Sequence, residues 1–225
     1  MQFQEDFSVE YQKAKSEISK SSPIQILPKF YNRLDTLMLR ETREATDKLA
    51  CGKGCSYCCY YKVEVRAVEI LKIAQYVKAK FSPEKIQVII NNASANVEEA
   101  KTLTYEQHLA TNQKCPFLEE NCCSIYEVRP SKCRSFHATD VDLCKQSYDE
   151  PQKVDIPNGY IQSLRSSANN ATYGFEEAVK YYGYDSRLYD MNSALVEAFH
   201  NNSLIKRYND KKKAFLQARQ IELPE

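Results

Sequence analysis

The sequence predicts a mostly α fold: a single helical domain with a cysteine-rich, loop-dominated site and at most short strands. Three observations predict it. Apolar residues recur at helical spacing over most of the chain. Strand-like alternation is confined to one short run, and nothing alternates strand with helix as a Rossmann sheet or a closed barrel requires. Nine cysteines in 225 residues fall into two groups about 55 residues apart, bunched beside glycine and proline rather than spread at helical spacing.

Residues 6–50 read as helical, broken by Ser21-Ser22-Pro23 and by Pro28, with Phe30, Leu34, Leu37 and Met38 in helical register in the second half. Residues 51–59 form a compact loop in which Gly52 and Gly54 give the backbone freedom for neighbouring thiols to converge. Tyr60 to Val65 reads as a short strand, because Val63 and Val65 alternate with charged residues. A helix follows from Arg66, with Ala67, Ile70, Leu71, Ala74, Val77 and Phe81 on one stripe. Ser82-Pro83-Glu84 combines an N-cap, a first-turn proline and an early acid, which opens another helix carrying Ile86, Ile89, Ile90, Ala93 and Val97 inward.

The stretch from Cys115 to Cys144 is punctuated by Pro116 and Pro130, so short elements wrapped around a site are expected there. Pro130 opens a short helix bearing Cys133. From Asn158 the chain reads as helical again, with Leu188, Met191, Leu195 and Phe199 in register and connections at Asn169-Asn170 and at Tyr181 to Tyr184. The organisation that follows is an N-terminal helical segment (1–50), a cysteine-cluster core (51–150) and a C-terminal helical segment packed on that core (151–225).

Composition narrows the function. Lys and Arg total 31 against 30 for Asp and Glu, so no global basic field attracts nucleic acid. The basic run Lys206-Arg207 and Lys211-Lys212-Lys213 is interrupted by Asp210 and reads as a solvated helix face. The N-terminus has early acids and no apolar run of a secretory signal, and no segment approaches the roughly 18 apolar residues of a membrane span. The expected location is the cytoplasm, where thiols stay reduced and clustered cysteines mean metal more often than disulfide. A chain of this size buries a core without covalent staples, and an odd cysteine count suits a paired disulfide framework poorly.

The first group reads Cys51-x3-Cys55-x2-Cys58-Cys59. The second holds Cys115-Pro-Phe-Leu, Cys122-Cys123-Ser-Ile-Tyr, Arg129-Pro-Ser-Lys-Cys133-Arg and a trailing Cys144. Gaps of two and three residues bring sulfurs to a common centre, and zinc and a cubane cluster each take four such ligands. Adjacent pairs such as Cys58-Cys59 point their side chains differently, so one member can serve one metal while the other faces a second metal or a partner. Cysteines acting as plain buried hydrophobes are the competing reading, and helical or strand spacing would mark it. The C-x3-C-x2-C spacing also matches that with which radical S-adenosylmethionine enzymes hold a cluster with one open iron. The alternating strands and helices of those enzymes are missing here.

The full pattern, C-x3-C-x2-CC, then CPFL, then C-S-I-Y-E-V-R-P-S-K-C-R-S-F and a last cysteine, resembles the YkgJ-type cysteine-cluster proteins over about residues 51–144. That family is described as chelating zinc or iron and carries a CxxCxxCC signature. The resemblance implies that Cys51, Cys55, Cys58, Cys59, Cys115, Cys123, Cys133 and Cys144 are the metal-binding cysteines, with Cys122 an extra. The gap between Cys51 and Cys55 is three residues, where the signature has two. The family includes flagellin lysine N-methylases, which use an iron–sulfur cluster with S-adenosylmethionine and are longer than this chain.

Arg129 and Arg134 flank Cys133 and are the candidate cofactor-binding cations. Four thiolates on Zn²⁺ leave a charge of about −2, which a guanidinium would offset while donating hydrogen bonds to sulfur or receiving a carboxylate-bearing ligand. Surface ion pairs to Glu127 or Asp140 are the alternative role. Tyr126 and Phe136 are placed as shields of the site, and Tyr57, Tyr60 and Tyr61 as packing. His137, four residues after Cys133, is a further ligand candidate. Two function classes follow. One is a metal-binding protein holding an iron–sulfur cluster, of [4Fe-4S] type, or zinc, for redox work or metal handling with a redox partner. The other is an S-adenosylmethionine-dependent lysine N-methyltransferase acting on a protein substrate. Iron is favoured over zinc because the spacing is irregular and the methylase relatives use iron. A metal-free thiol switch is a minor third reading.

Overall fold

A computed structural model of the chain describes residues 2–153, 155–157 and 159–221. Asn158, from which the sequence predicts renewed helix, lies outside them. Two long helices open the chain, α1 (Gln2–Ile18) and α2 (Pro23–Glu44). A 3₁₀ turn (Tyr57–Tyr60) leads into strand β1 (Glu64–Arg66) and helices α3 (Ala67–Lys80), α4 (Pro83–Lys101) and α5 (Tyr105–Leu109). The cysteine-rich stretch contributes only short pieces: strands β2 (Leu118–Glu119) and β3 (Cys122–Cys123), helix α6 (Ser131–Ser135) and helix α7 (Val141–Asp149). Helix α8 (Gln162–Tyr181), strand β4 (Leu188–Asp190), helices α9 (Met191–His200) and α10 (Leu204–Asn209) and strand β5 (Gln220–Ile221) complete it. The chain is mostly helical, as the periodicity predicts, and no described helix is long and apolar enough to cross a membrane.

Local chemistry explains several boundaries. Ser82 caps α4 by accepting a hydrogen bond from the Lys85 N–H, with Pro83 at the first helical position. Helix α3 begins after Arg66, whose own N–H donates to the Glu69 carboxylate three residues on. Three expectations are corrected. Pro28 sits inside α2 instead of breaking it. A mid-helix proline costs ~3 kcal/mol, and burial of Ile24, Ile26, Leu27, Phe30, Tyr31 and Leu34 along the same helix offsets it. Asn169-Asn170 lies within α8, because Ala168 and Ala171 on either side are buried and hold that face helical. Leu188 belongs to a strand, not to the helix that begins at Met191.

One core draws on both ends of the chain. Phe30 of α2 stacks on Phe175 of α8 at 4.4 Å between ring centroids. Arg33 of α2 reaches α1, donating to the buried Glu10 carboxylate at 2.6 and 2.8 Å. A three-stranded antiparallel sheet, ordered β1-β4-β5, sets Val65 opposite Tyr189 and Leu188 opposite Ile221. The buried Glu197 carboxylate accepts the N–H groups of Leu216, Gln217 and Ala218, fastening the C-terminal segment to α9. A carboxylate with three such donors is well satisfied despite its burial.

Helix α1 lies so close to α8 that a methyl at Gly174 would come within 2.6 Å of the Phe7 carbonyl oxygen and 3.1 Å of the Tyr11 nitrogen. Both obstacles are backbone, so the helices must separate. Gly174→Ala is expected to destabilise the protein by about 1–3 kcal/mol, despite the better helix propensity of alanine. Urea denaturation reads this directly, and an unchanged or raised midpoint would show that α1 is not seated as described.

Candidate metal centre

The site is assembled around the 3₁₀ turn at residues 57–60. This turn carries Cys58 and Cys59 at adjacent positions. The turn is pinned from two directions. Cys115 N–H donates to the Cys59 carbonyl at 2.7 Å, and Gln113 N–H to the Tyr60 carbonyl at 3.0 Å. From another side α7 packs on it, with the Tyr148 ring 5.7 Å from Tyr57 and 4.8 Å from Tyr60.

The remaining cysteines come in on separate segments. Cys51 is tied to the chain between α6 and α7: its sulfur accepts the Ala138 N–H at 3.3 Å, and Ala50 N–H donates to the Ala138 carbonyl at 2.8 Å. Cys55 closes a tight turn onto the Gly52 carbonyl, helped by Gly54 at φ 89°. The β2–β3 hairpin turns through Glu120 and Asn121, both at positive φ, and sets Cys123 opposite Leu118. Cys133 rides on α6, whose first N–H, that of Ser131, donates to Glu69 Oε1 at 2.7 Å. Tyr31 OH donates to the same oxygen, so one buried carboxylate of α3 orients α2 and the helix bearing Cys133. Nothing in the sequence around Glu69 announces this role, since Ser131 is 62 residues away.

The thiols share one electrostatic neighbourhood. Burial pushes Cys133 well above the ordinary thiol value, with the fields of Cys115, Cys58 and Cys123 adding to it. Burial raises Cys115 to about 12, helped by Cys123 and Cys58, and raises Cys123, helped by Cys58. Cys144 is pushed up to about 11, again chiefly by burial and then by Cys51, Cys55 and Cys58. Cys51 is raised by burial, with Cys58 and Cys55 contributing. Cys58 is raised by its hydrogen bond with Cys59 and then by burial. Cys58 is thus felt by both cysteine groups. Cys122 is exposed at the hairpin, opposite Glu119. Among the described residues, no three His, Cys, Asp or Glu side chains are already gathered to hold a metal ion.

The donor chemistry suits a thiophilic metal, and one cation is placed to assist. The Arg129 guanidinium stacks over Tyr126 at 3.9 Å and draws down the thiols of Cys51, Cys58 and Cys123. Its Nε is buried without a hydrogen-bond partner, which leaves a donor available to sulfur. Arg134 is placed otherwise. It pairs with Asp35, donates to the Glu127 carbonyl at 2.7 Å and lies over the Tyr31 ring. His137 has both ring nitrogens occupied by backbone: Nδ1–H donates to the Ser135 carbonyl at 2.9 Å, and Nε2 accepts the Ile161 N–H at 3.0 Å. It is a buried brace, with no lone pair left for a metal. Beside the cysteines opens a cleft of about 460 Å³, walled in part by Tyr61, Phe136, Asp140, Leu143, Cys144 and Arg165.

The raised thiols make stability depend on pH. A thiol whose folded value is raised contributes in full below its unfolded value near 9, and that contribution is lost as pH rises through about 11 at Cys144 and about 12 at Cys115. In the metal-free, reduced chain the urea midpoint is expected to fall above about pH 9, and to fall less steeply in Cys115→Ser. Equal slopes in the two proteins would contradict the burial assigned to this thiol.

Comparison with known proteins adds one finding. A family profile, CxxCxxCC, described as "Putative zinc- or iron-chelating domain", matches residues 50–155. No curated protein and no solved structure matches the chain.

Proposed function

Residues 50–155 of this chain belong to the CxxCxxCC family, and from that premise we propose that the protein binds iron as an iron–sulfur cluster through cysteine thiolates. The observation that carries the proposal is the convergence of cysteine-bearing segments on the 57–60 turn, through the backbone pairing of Cys115 with Cys59 and the packing of α7, with a buried and unpartnered Arg129 Nε close to these thiols. Cys51, Cys55, Cys58, Cys59, Cys115, Cys123, Cys133 and Cys144 supply the ligands. When bound, the cluster supplies one-electron redox chemistry. The chain's own contribution is to half-bury Cys115 and Cys133, to fix the helix bearing Cys133 through Glu69 and Ser131, and to offset thiolate charge with Arg129. Iron is preferred to zinc because the thiols come from irregularly spaced segments instead of the paired knuckles of zinc modules. We place the protein in the reducing cytoplasm, working in redox or metal handling with a redox partner.

The raised thiols weigh against a metal-free switch, which needs an exposed thiol of lowered pKa. A second reading has the cleft beside Cys144 in its favour. Its volume, about 460 Å³, falls within the usual range of small-molecule sites, so a cluster here could present S-adenosylmethionine for methyl transfer to a protein lysine. Calorimetric titration of the metal-loaded chain with S-adenosylmethionine decides between the readings; saturable binding selects the second.

Anaerobic purification followed by iron, zinc and acid-labile sulfide analysis tests the proposal. The expected protein is brown, with iron and sulfide in equal amounts. A colourless protein with stoichiometric zinc would replace the cluster by zinc, and a metal-free protein would end the metal reading. Arg129→Leu is expected to weaken metal retention against a chelator by about 10–100-fold, and retention equal to wild type would remove Arg129 from the site.

A further inference from the structure

We propose that the cleft beside Cys144 is a binding site for a small aromatic anion, a molecule with a flat ring and a carboxylate or phosphate group. This goes beyond the metal reading and beyond methyl transfer, and it does not depend on which metal the thiols carry.

Charge on the walls selects the sign of the ligand. Lys62, Lys132 and Arg165 line the cleft, against a single carboxylate, that of Asp140. Asp140 is turned to its own helix, where Oδ1 accepts the Asp142 N–H at 2.8 Å and caps α7. Lys62 and Lys132 flank one carboxylate, that of Glu64, at 3.8 and 3.9 Å. These are ion-pair separations, longer than a hydrogen bond.

Arg165 stands near the start of α8, with its guanidinium over the Tyr160 ring at 4.3 Å. Stacking uses the face of the guanidinium and leaves its N–H groups free at the edge. Among the described residues no carboxylate or carbonyl accepts from them, whereas Arg134 is paired with Asp35 and the Glu127 carbonyl. A planar fork held by stacking matches the two oxygens of a carboxylate or phosphate.

The remaining walls select a ring. Tyr61 and Phe136 meet edge to face at 5.9 Å between centroids, and Phe136 is 43% exposed although it lines the cleft. With Tyr160 they offer aromatic surface on which a flat ligand can pack. The cleft is also built before any ligand arrives. His137 bridges the Ser135 carbonyl and the Ile161 N–H, and Thr139 N–H donates to the Gly159 carbonyl at 2.9 Å. The segments around it are therefore already fastened together, which lowers the ordering cost of binding.

Calorimetric titration of the purified full-length protein with phenyl phosphate and with benzoate tests the site. Benzyl alcohol serves as the uncharged ring and inorganic phosphate as the ringless anion. At least one aromatic anion is expected to bind saturably at millimolar concentration or below, about tenfold or more tightly than either control, and the better of the two identifies the anionic group. Lys132→Gln and Arg165→Gln, both at exposed positions, are each expected to weaken that binding by about tenfold. Lys101→Gln, outside the cleft, is expected to leave it unchanged, and circular dichroism checks that each variant folds. Equal binding of benzyl alcohol or inorganic phosphate, no saturable binding of either aromatic anion, wild-type affinity in both cleft variants, or an equal loss in Lys101→Gln would each overturn the proposal. Metal analysis of the same preparation is read separately: a metal-free protein that binds the aromatic anion ends the metal reading and leaves this site standing.

Discussion

A thiolate taken out of water needs a positive charge close by, because the low-dielectric surroundings that shield the sulfur also penalise its charge. That constraint governs the cysteine region. Burial at Cys115 and Cys133 favours the neutral thiol, and each neighbouring sulfur would add repulsion once charged. Packing several thiols around one turn is therefore unfavourable for a set of free thiolates and favourable for a set that shares a cation. Arg129 supplies part of that charge, since its guanidinium lowers three of the thiols. On the proposed reading a metal supplies the rest, and its binding releases the protons the thiols now hold.

The scaffold meets this constraint with few regular elements. Helices α1, α2, α3 and α8 make the packed body, and the cysteine segments lie against it as turns, two-residue strands and a five-residue helix. Such pieces cannot position sulfur through their own hydrogen bonds, so they borrow fixed points. Glu69 fixes the start of α6, Cys59 fixes Cys115, Ala138 fixes Cys51, and His137 fixes the chain ahead of α8 at Ile161. His137 was only a further ligand candidate by its spacing from Cys133, and here the fold uses it to satisfy backbone at both ring nitrogens.

What was legible in the sequence had short-range causes. The Ser82 cap, the helix after Arg66 and the short helix after Pro130 depend on residues within one turn of each other, and all three stand where the pattern puts them. Helix across Asn169-Asn170 and through Pro28 was not legible, because burial against other segments overrides the local preference. The bunching of cysteines beside glycine and proline announced a site. It did not disclose which thiols become neighbours, since Cys115 reaches Cys59 only after the chain has turned back through α3 and α4. The environments of the two arginines were equally hidden: Asp35, the partner of Arg134, is 99 residues away.

The central claim is that sulfur from distant parts of residues 51–144 surrounds the same metal. X-ray absorption at the metal edge of the anaerobically purified chain measures the ligand shell without regard to which metal is present. An all-sulfur shell of four atoms at about 2.3 Å is the predicted result. A shell dominated by nitrogen or oxygen would contradict the account, because these thiols would then be buried packing beside a site formed elsewhere.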